Sequence, residues 1–273
     1  MALNQVRNLG LAFMAAAVLA ACGGQSNSAA PAASKPTEAA ASTPAAAGKV
    51  YKVGMNAQYP PFESMDSNGK IEGFDVDLLD AIAKEEGFQV SYHQQPWDGI
   101  FASLKTGDHD ILISGITITP ERQQEMLFSD PYYKITQVIL VPQGKNVKSV
   151  EDLKSLDKVG VSLGTTGDHA AQKILGATSE KIIRLENLPL TLKEVESGGV
   201  DAVISDSAVV AHYVKQHGDK GFTMVEVKDF DVENYGIAVA QNNQELLDKI
   251  NSGLKKIQAN GEYAKISAKY FAQ

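Results

Sequence analysis

From residue 49 onward, short apolar runs alternate with segments whose apolar positions recur every three or four residues. Strands alternating with amphipathic helices are the simplest reading of that pattern, and they predict an α/β fold. The run at residues 50–55 predicts a strand, followed by a turn at Tyr59-Pro60-Pro61-Phe62. Asp75 opens a helix with Val76, Leu79, Ile82 and Ala83 on one face, and Gly87 is placed to end it. A strand returns at 88–92, and residues 97–106 carry Ile100, Phe101 and Leu104 on one side until Gly107. Further strands are expected at 137–141, 158–162, 181–185, 200–205, 223–227 and 235–240, with helices between them. Ser149 with Asp152 marks one helix start, and the chain ends in two helices, 244–260 and 262–271. The stripe Leu247, Ile250, Leu254 and Ile257 on the first of these belongs to a core.

The densest chemistry lies in residues 110–133, DILISGITITPERQQEMLFSDPYY. Ile111 to Ile113 suit a buried strand, and Gly115 leaves the backbone open to close approach. Thr119 is an N-cap, Pro120 fits the first helical position, and Arg122 then falls in the first turn. A guanidinium there opposes the helix dipole, so its cost is offset either by water on an exposed face or by a bound anion. Backbone N–H groups, a hydroxyl and a forked Arg together suit a small carboxylate.

The segments SGITITPER and FSDPYY resemble the extracellular solute-binding proteins that deliver polar amino acids to ABC transporters, and the resemblance runs from about Lys49 to the chain end. It implies a two-lobed periplasmic-binding-protein fold, with two hinge crossings and a ligand cleft between the lobes. Lobe 1 would hold residues 49–133 plus 236–273 and lobe 2 residues 134–235, with crossings near 132–136 and 231–235. In that family the positions of Gly115, Thr117 and Arg122 hold the ligand α-carboxylate. The family also has an acid at the end of the strand VDAVIS, here Asp206, to pair with the α-ammonium; from its position alone Asp206 is equally an N-cap for the next helix. The loop Gly164-Thr165-Thr166-Gly167-Asp168 lacks the Lys of a Walker motif and the spacing of a dinucleotide fingerprint. By resemblance it gives a carboxylate contact from Thr166 first, with Thr165 as the alternative turn residue. Tyr59, Phe62 and Trp97 stand where relatives stack rings on the ligand, although burial preference alone also allows each to be core.

Asn56 occupies a position where relatives that bind cationic amino acids carry Asp or Glu. An uncharged amide there favours a polar, neutral side chain, which makes glutamine the first expectation; Glu63 or another acid keeps Arg, Lys and His open.

The 273-residue chain has a formal net charge of −8 and no Lys/Arg run, which argues against nucleic acid as a partner. Its five histidines show no metal-ligand spacing, and neither cofactor nor metal is expected. The single cysteine, Cys22, follows an apolar run at 9–21 of signal-peptide length, and Leu19-Ala20-Ala21-Cys22 resembles a bacterial lipoprotein box. That resemblance implies cleavage of residues 1–21, lipidation of Cys22, and anchoring to a membrane in the periplasm or at the cell surface. Residues 23–48 are rich in Ala, Pro, Ser and Thr and read as a tether reaching about 25–30 Å. The expected whole is a monomeric, non-enzymatic lipoprotein that hands a free L-amino acid to an ABC permease. A dehydratase-like enzyme on the same fold and a ligand-sensing or adhesive lipoprotein are the alternatives.

Overall fold

In the computed structural model, residues 49–271 are described. The expectations for the signal peptide, Cys22 and the tether lie outside them. The first lobe opens with β1 (Val50–Met55), β2 (Gln58–Tyr59), β3 (Glu63–Met65) and β4 (Ile71–Glu72), followed by α1 (Phe74–Glu86) and β5 (Gln89–Gln94). It continues through α2 (Ile100–Thr106), β6 (Ile111–Leu112), the short α3 (Pro120–Gln123) and β7 (Met126–Phe128). The chain then passes along β8 (Tyr133–Val141) into α4 (Val150–Ser155), β9 (Val159–Ser162), α5 (Thr166–Leu175), β10 (Ile182–Leu185) and α6 (Leu188–Glu196). There follow β11 (Ala202–Asp206), α7 (Ser207–Gln216), β12 (Thr223–Val225) and β13 (Val232–Tyr235), and finally β14 (Ala238–Ala240), α8 (Gln244–Ala259) and α9 (Glu262–Phe271).

Two sheets result. One has the order β5-β1-β6-β14-β7, with β1 parallel to β5 and β6, and β14 antiparallel to β6 and β7. The other has the order β10-β9-β11-β8-β12, with the β9 pairs parallel and the β8 pairs antiparallel. Between them β13 pairs antiparallel with the first residues of β8, from Val232 opposite Thr136 to Tyr235 opposite Tyr133. The two segments expected to be crossings therefore lie side by side as one ribbon.

Local signals act as the sequence suggests. Gly87 caps α1 in the left-handed conformation, and Ser149 with Asp152 forms a complete capping box on α4. Leu247, Ile250, Leu254 and Ile257 of α8 are all buried in the first lobe's core, beside Leu78, Leu79 and Ile82 of α1. β13 was not foreseen; its four residues carry too few apolar positions for a period to show, and pairing with β8 creates it.

Candidate ligand-binding site

The cleft between the two sheets is lined from one side by Asn56, Tyr59, Glu63, Trp97, Ser114, Gly115, Thr117 and Arg122. From the other side come Ser162, Thr165, Thr166, Glu186, Asn187, Leu188 and Asp206. About 470 Å3 of non-protein space, open solvent included, lies among them. The walls already touch: Trp97 Nε1 donates to the Gly164 carbonyl at 3.4 Å, and Arg122 reaches the same oxygen at 3.5 Å.

Arg122 is held where its sequence position placed it. Thr119 accepts the Arg122 N–H at 3.2 Å as the N-cap of α3, with Pro120 at the first helical position. The guanidinium is half-buried. It stands over the rings of Phe101 and Trp97, at 4.9 and 5.4 Å from their centroids, and donates to the Thr117 carbonyl at 2.8 Å. These contacts leave part of its five-donor fork over for an anion in the cleft. Burial lowers its pKa, and the charges of Asp206, Glu233 and Glu121 act against that lowering.

Asp206 ends β11 and precedes α7, yet its side chain caps nothing. It is instead buried and receives hydrogen bonds from the Gln137 amide at 2.5 Å and from the Tyr235 hydroxyl. Burial pushes its pKa up; the donors Tyr235, Tyr59 and Gln137 and the charge of Arg122 pull it back. A half-buried cation and a buried anion thus face one cleft from opposite lobes.

The loop after β9 divides its two threonines. Thr165 is the N-cap of α5, accepting from Asp168 N–H and donating to the Ser162 carbonyl at 2.8 Å. Thr166 is the first residue of that helix, so its N–H has no intrahelical partner and points at the cleft end of the dipole. Its hydroxyl lies 3.1 Å from the Gln137 amide nitrogen and 3.5 Å from the Thr117 hydroxyl.

Two expectations change. Phe62 does not line the cleft: it is fully buried among Phe74, Tyr133, Tyr235 and Phe271, and Tyr59 stacks over it at 6.4 Å. The turn sends Tyr59 outward and Phe62 inward, so one ring walls the site and the other supports it. Gly115 lines the cleft, but its N–H donates to Asp75 at 2.9 Å and is not available to a ligand. Its φ of +54° and the Tyr59 ring, 3.2 Å from where a Cβ would sit, account for the glycine.

Several lining or supporting groups escaped the sequence. Gln137 is a buried amide within the apolar run of β8, and that interruption was the available signal. Glu233 on β13 accepts from Thr117 Oγ1 at 3.0 Å and from Gln137 at 3.3 Å, and burial followed by the charge of Asp206 raises its pKa. Asn56 donates one Nδ2–H to the Gln95 carbonyl at 3.1 Å, which leaves its second N–H as a donor and its Oδ1 as an acceptor. Among the described residues no group of three or more His, Cys, Asp or Glu side chains is arranged to hold a metal ion.

Comparison with known proteins gives concordant results. The family described as bacterial extracellular solute-binding proteins, family 3, matches residues 51–273. A probable histidine-binding protein of Neisseria gonorrhoeae is 51% identical over 258 residues, covering 94% of this chain and 92% of that protein. A putative ABC transporter arginine-binding protein 2 of Escherichia coli K12 is 36% identical, covering 83% of this chain and 93% of its own. The arginine-, lysine-, histidine-binding protein ArtJ of Geobacillus stearothermophilus superposes with a TM-score of 0.79 at 44% identity, covering 82% of this chain and 96% of that one.

Proposed function

The chain belongs to the bacterial extracellular solute-binding proteins of family 3, and on that premise we propose that it captures a free basic L-amino acid, histidine or arginine first, and presents it to an ABC permease. Arg122 takes the α-carboxylate, helped by Thr117 and by the start of α5 at Thr166. Asp206 takes the α-ammonium. Tyr59 and Trp97 hold the side chain between rings.

The charge balance of the cleft carries this reading. Arg122 is the one Lys or Arg among the lining residues, against Glu186 and Asp206, with Glu233 immediately behind. A neutral zwitterion brings no net charge to such a surface, whereas a cationic side chain offsets the surplus. Asn56 does not separate the classes: with one of its two amide N–H groups given to Gln95, it keeps a donor and the Oδ1 acceptor, and can meet a cationic group or the amide of glutamine. The relatives described as histidine- and arginine-binding proteins accord with the basic class. Glutamine, first in the sequence reading, becomes the competitor to test.

Binding completes the bridge between the lobes, and closure about the β8–β13 ribbon is the state the permease reads, since a ligand shifts an equilibrium only by its differential affinity. Cys22, as a lipidated anchor, holds this body at the membrane. Calorimetric titration of the refolded, ligand-stripped protein with histidine, arginine, lysine and glutamine tests the ligand class. A basic amino acid should bind at least about tenfold tighter than glutamine, or about 1.4 kcal/mol. Tightest binding of glutamine would refute the assignment.

A further inference from the structure

At the cleft floor lies a second pair of acids, Glu63 of the lining and Asp75 behind it, to which the proposed capture assigns no ligand contact. Glu63 opens β3, Asp75 is the second residue of α1, and both are fully buried. Glu63 Oε1 accepts from the Ser114 hydroxyl at 2.7 Å, and that hydroxyl oxygen accepts the Asn56 N–H at 3.0 Å. Asp75 Oδ2 accepts from the Gly115 N–H and from the Tyr132 hydroxyl, each at 2.9 Å. The other oxygen of each group, Glu63 Oε2 and Asp75 Oδ1, is buried with no donor.

Two ionised carboxylates in this position would repel each other without any compensating cation. The other titratable groups acting on the pair are Asp206, Tyr132, Tyr263 and Tyr92, all acids or neutral hydroxyls. We propose that Glu63 and Asp75 share one proton, and that this carboxylic acid–carboxylate pair positions Ser114 and Gly115 in the floor of the cleft. Glu63 Oε2–H donates to Asp75 Oδ1, so a single proton satisfies both orphaned oxygens. Glu63 is the acid of the two because Asp75 already holds two other donors, which favour its ionised form. Burial raises both pKa values in agreement with this. A continuous chain of hydrogen bonds then runs from Asn56 through Ser114, Glu63 and Asp75 to Gly115 and to Tyr132, the residue before β8. The pair is thereby a positioning element for the cleft floor, independent of which amino acid binds.

The consequence is a linkage between proton uptake and folding. Both carboxyls ionise in the unfolded chain in the ordinary range, while the native pair keeps its proton. The native state therefore binds more protons, and its stability falls as pH rises from the ordinary carboxylate range through the raised native pKa. Asp206 and Glu233 contribute in the same direction, so the test compares variants that retain both.

Melting temperatures of the full chain without added amino acid would be measured from about pH 5 to about pH 9, the window set by linkage, for native protein, Glu63→Gln, Asp75→Asn and the double amide. Either single amide supplies the donor between the two groups without a titrating proton. The melting temperature of native protein should therefore fall relative to both as pH rises. The double amide sets two NH2 groups against each other and should lose more than the sum of the singles. Infrared spectra of native protein at neutral pH should contain a protonated-carboxyl band that Glu63→Gln lacks. Parallel pH profiles for native protein and the single amides, an additive double variant, or the absence of that band would each overturn the proposal. If one single amide fails to fold, the other and the native spectrum still decide it.

Discussion

Asp206 and the Glu63/Asp75 pair are buried within the same cleft region and are compensated in opposite ways. Asp206 has tyrosine and amide donors and a guanidinium across the cleft, so it can hold its charge and offer it to a cation. Glu63 and Asp75 have neutral donors and no cation, and the structure leaves them one oxygen short on each side. Burial taxes all three; only the presence of a countercharge separates a group that binds from a group that braces.

The largest expected effect breaks the ionic side of this comparison. Arg122→Ala leaves Asp206, Glu233 and the ligand carboxylate without their cation and should weaken binding by about 3–5 kcal/mol, the scale for removing one partner of a buried pair; titration calorimetry reads it directly. Asp206→Asn keeps the shape and most of the hydrogen bonds but removes the charge, and should cost about 2–4 kcal/mol. The same charge sets a pH dependence. Because burial raises the pKa of Asp206, affinity for arginine should fall as pH drops through a value above the ordinary carboxylate range. Arginine is the right ligand for that series, since its own side chain keeps its charge. Stability of the ligand-free protein, governed partly by the shared proton, should move the other way and improve toward acid. The smallest effect is a gain: Asn56→Asp adds a charge beside the acceptor that Asn56 already provides, and should tighten arginine binding by about 1 kcal/mol while leaving glutamine nearly unchanged.

Much of the fold was legible because its signals are local. β1 occupies residues 50–55 as its apolar run indicated, Gly87 ends α1, and Thr119 and Pro120 start α3 in the way their side chains dictate. Of the cleft-lining positions, Arg122 follows from the capping chemistry at Thr119 and Pro120, whereas Asp206 and Thr166, also at the ends of elements, were singled out by the family resemblance. What was not legible depends on partners distant in sequence. Phe62 and Tyr59 are three residues apart and equally aromatic, and only the packing of α9 and β13 against the turn decides which ring turns inward. Gly115 was read as a ligand contact, yet a carboxylate 40 residues away takes its N–H. Glu233 acquires its place only when β13 pairs with β8, and one of the two Asn56 amide N–H groups is taken only because the Gln95 carbonyl lies beside it.

The account rests on Arg122 recognising a carboxylate, and the most direct measurement pairs the native protein and Arg122→Ala with two ligands, arginine and its methyl ester. Native protein should bind arginine far more tightly than the ester, whereas the variant should bind both weakly and with nearly equal affinity. An unchanged preference for arginine over the ester in Arg122→Ala would contradict the account and send the carboxylate to another part of the cleft.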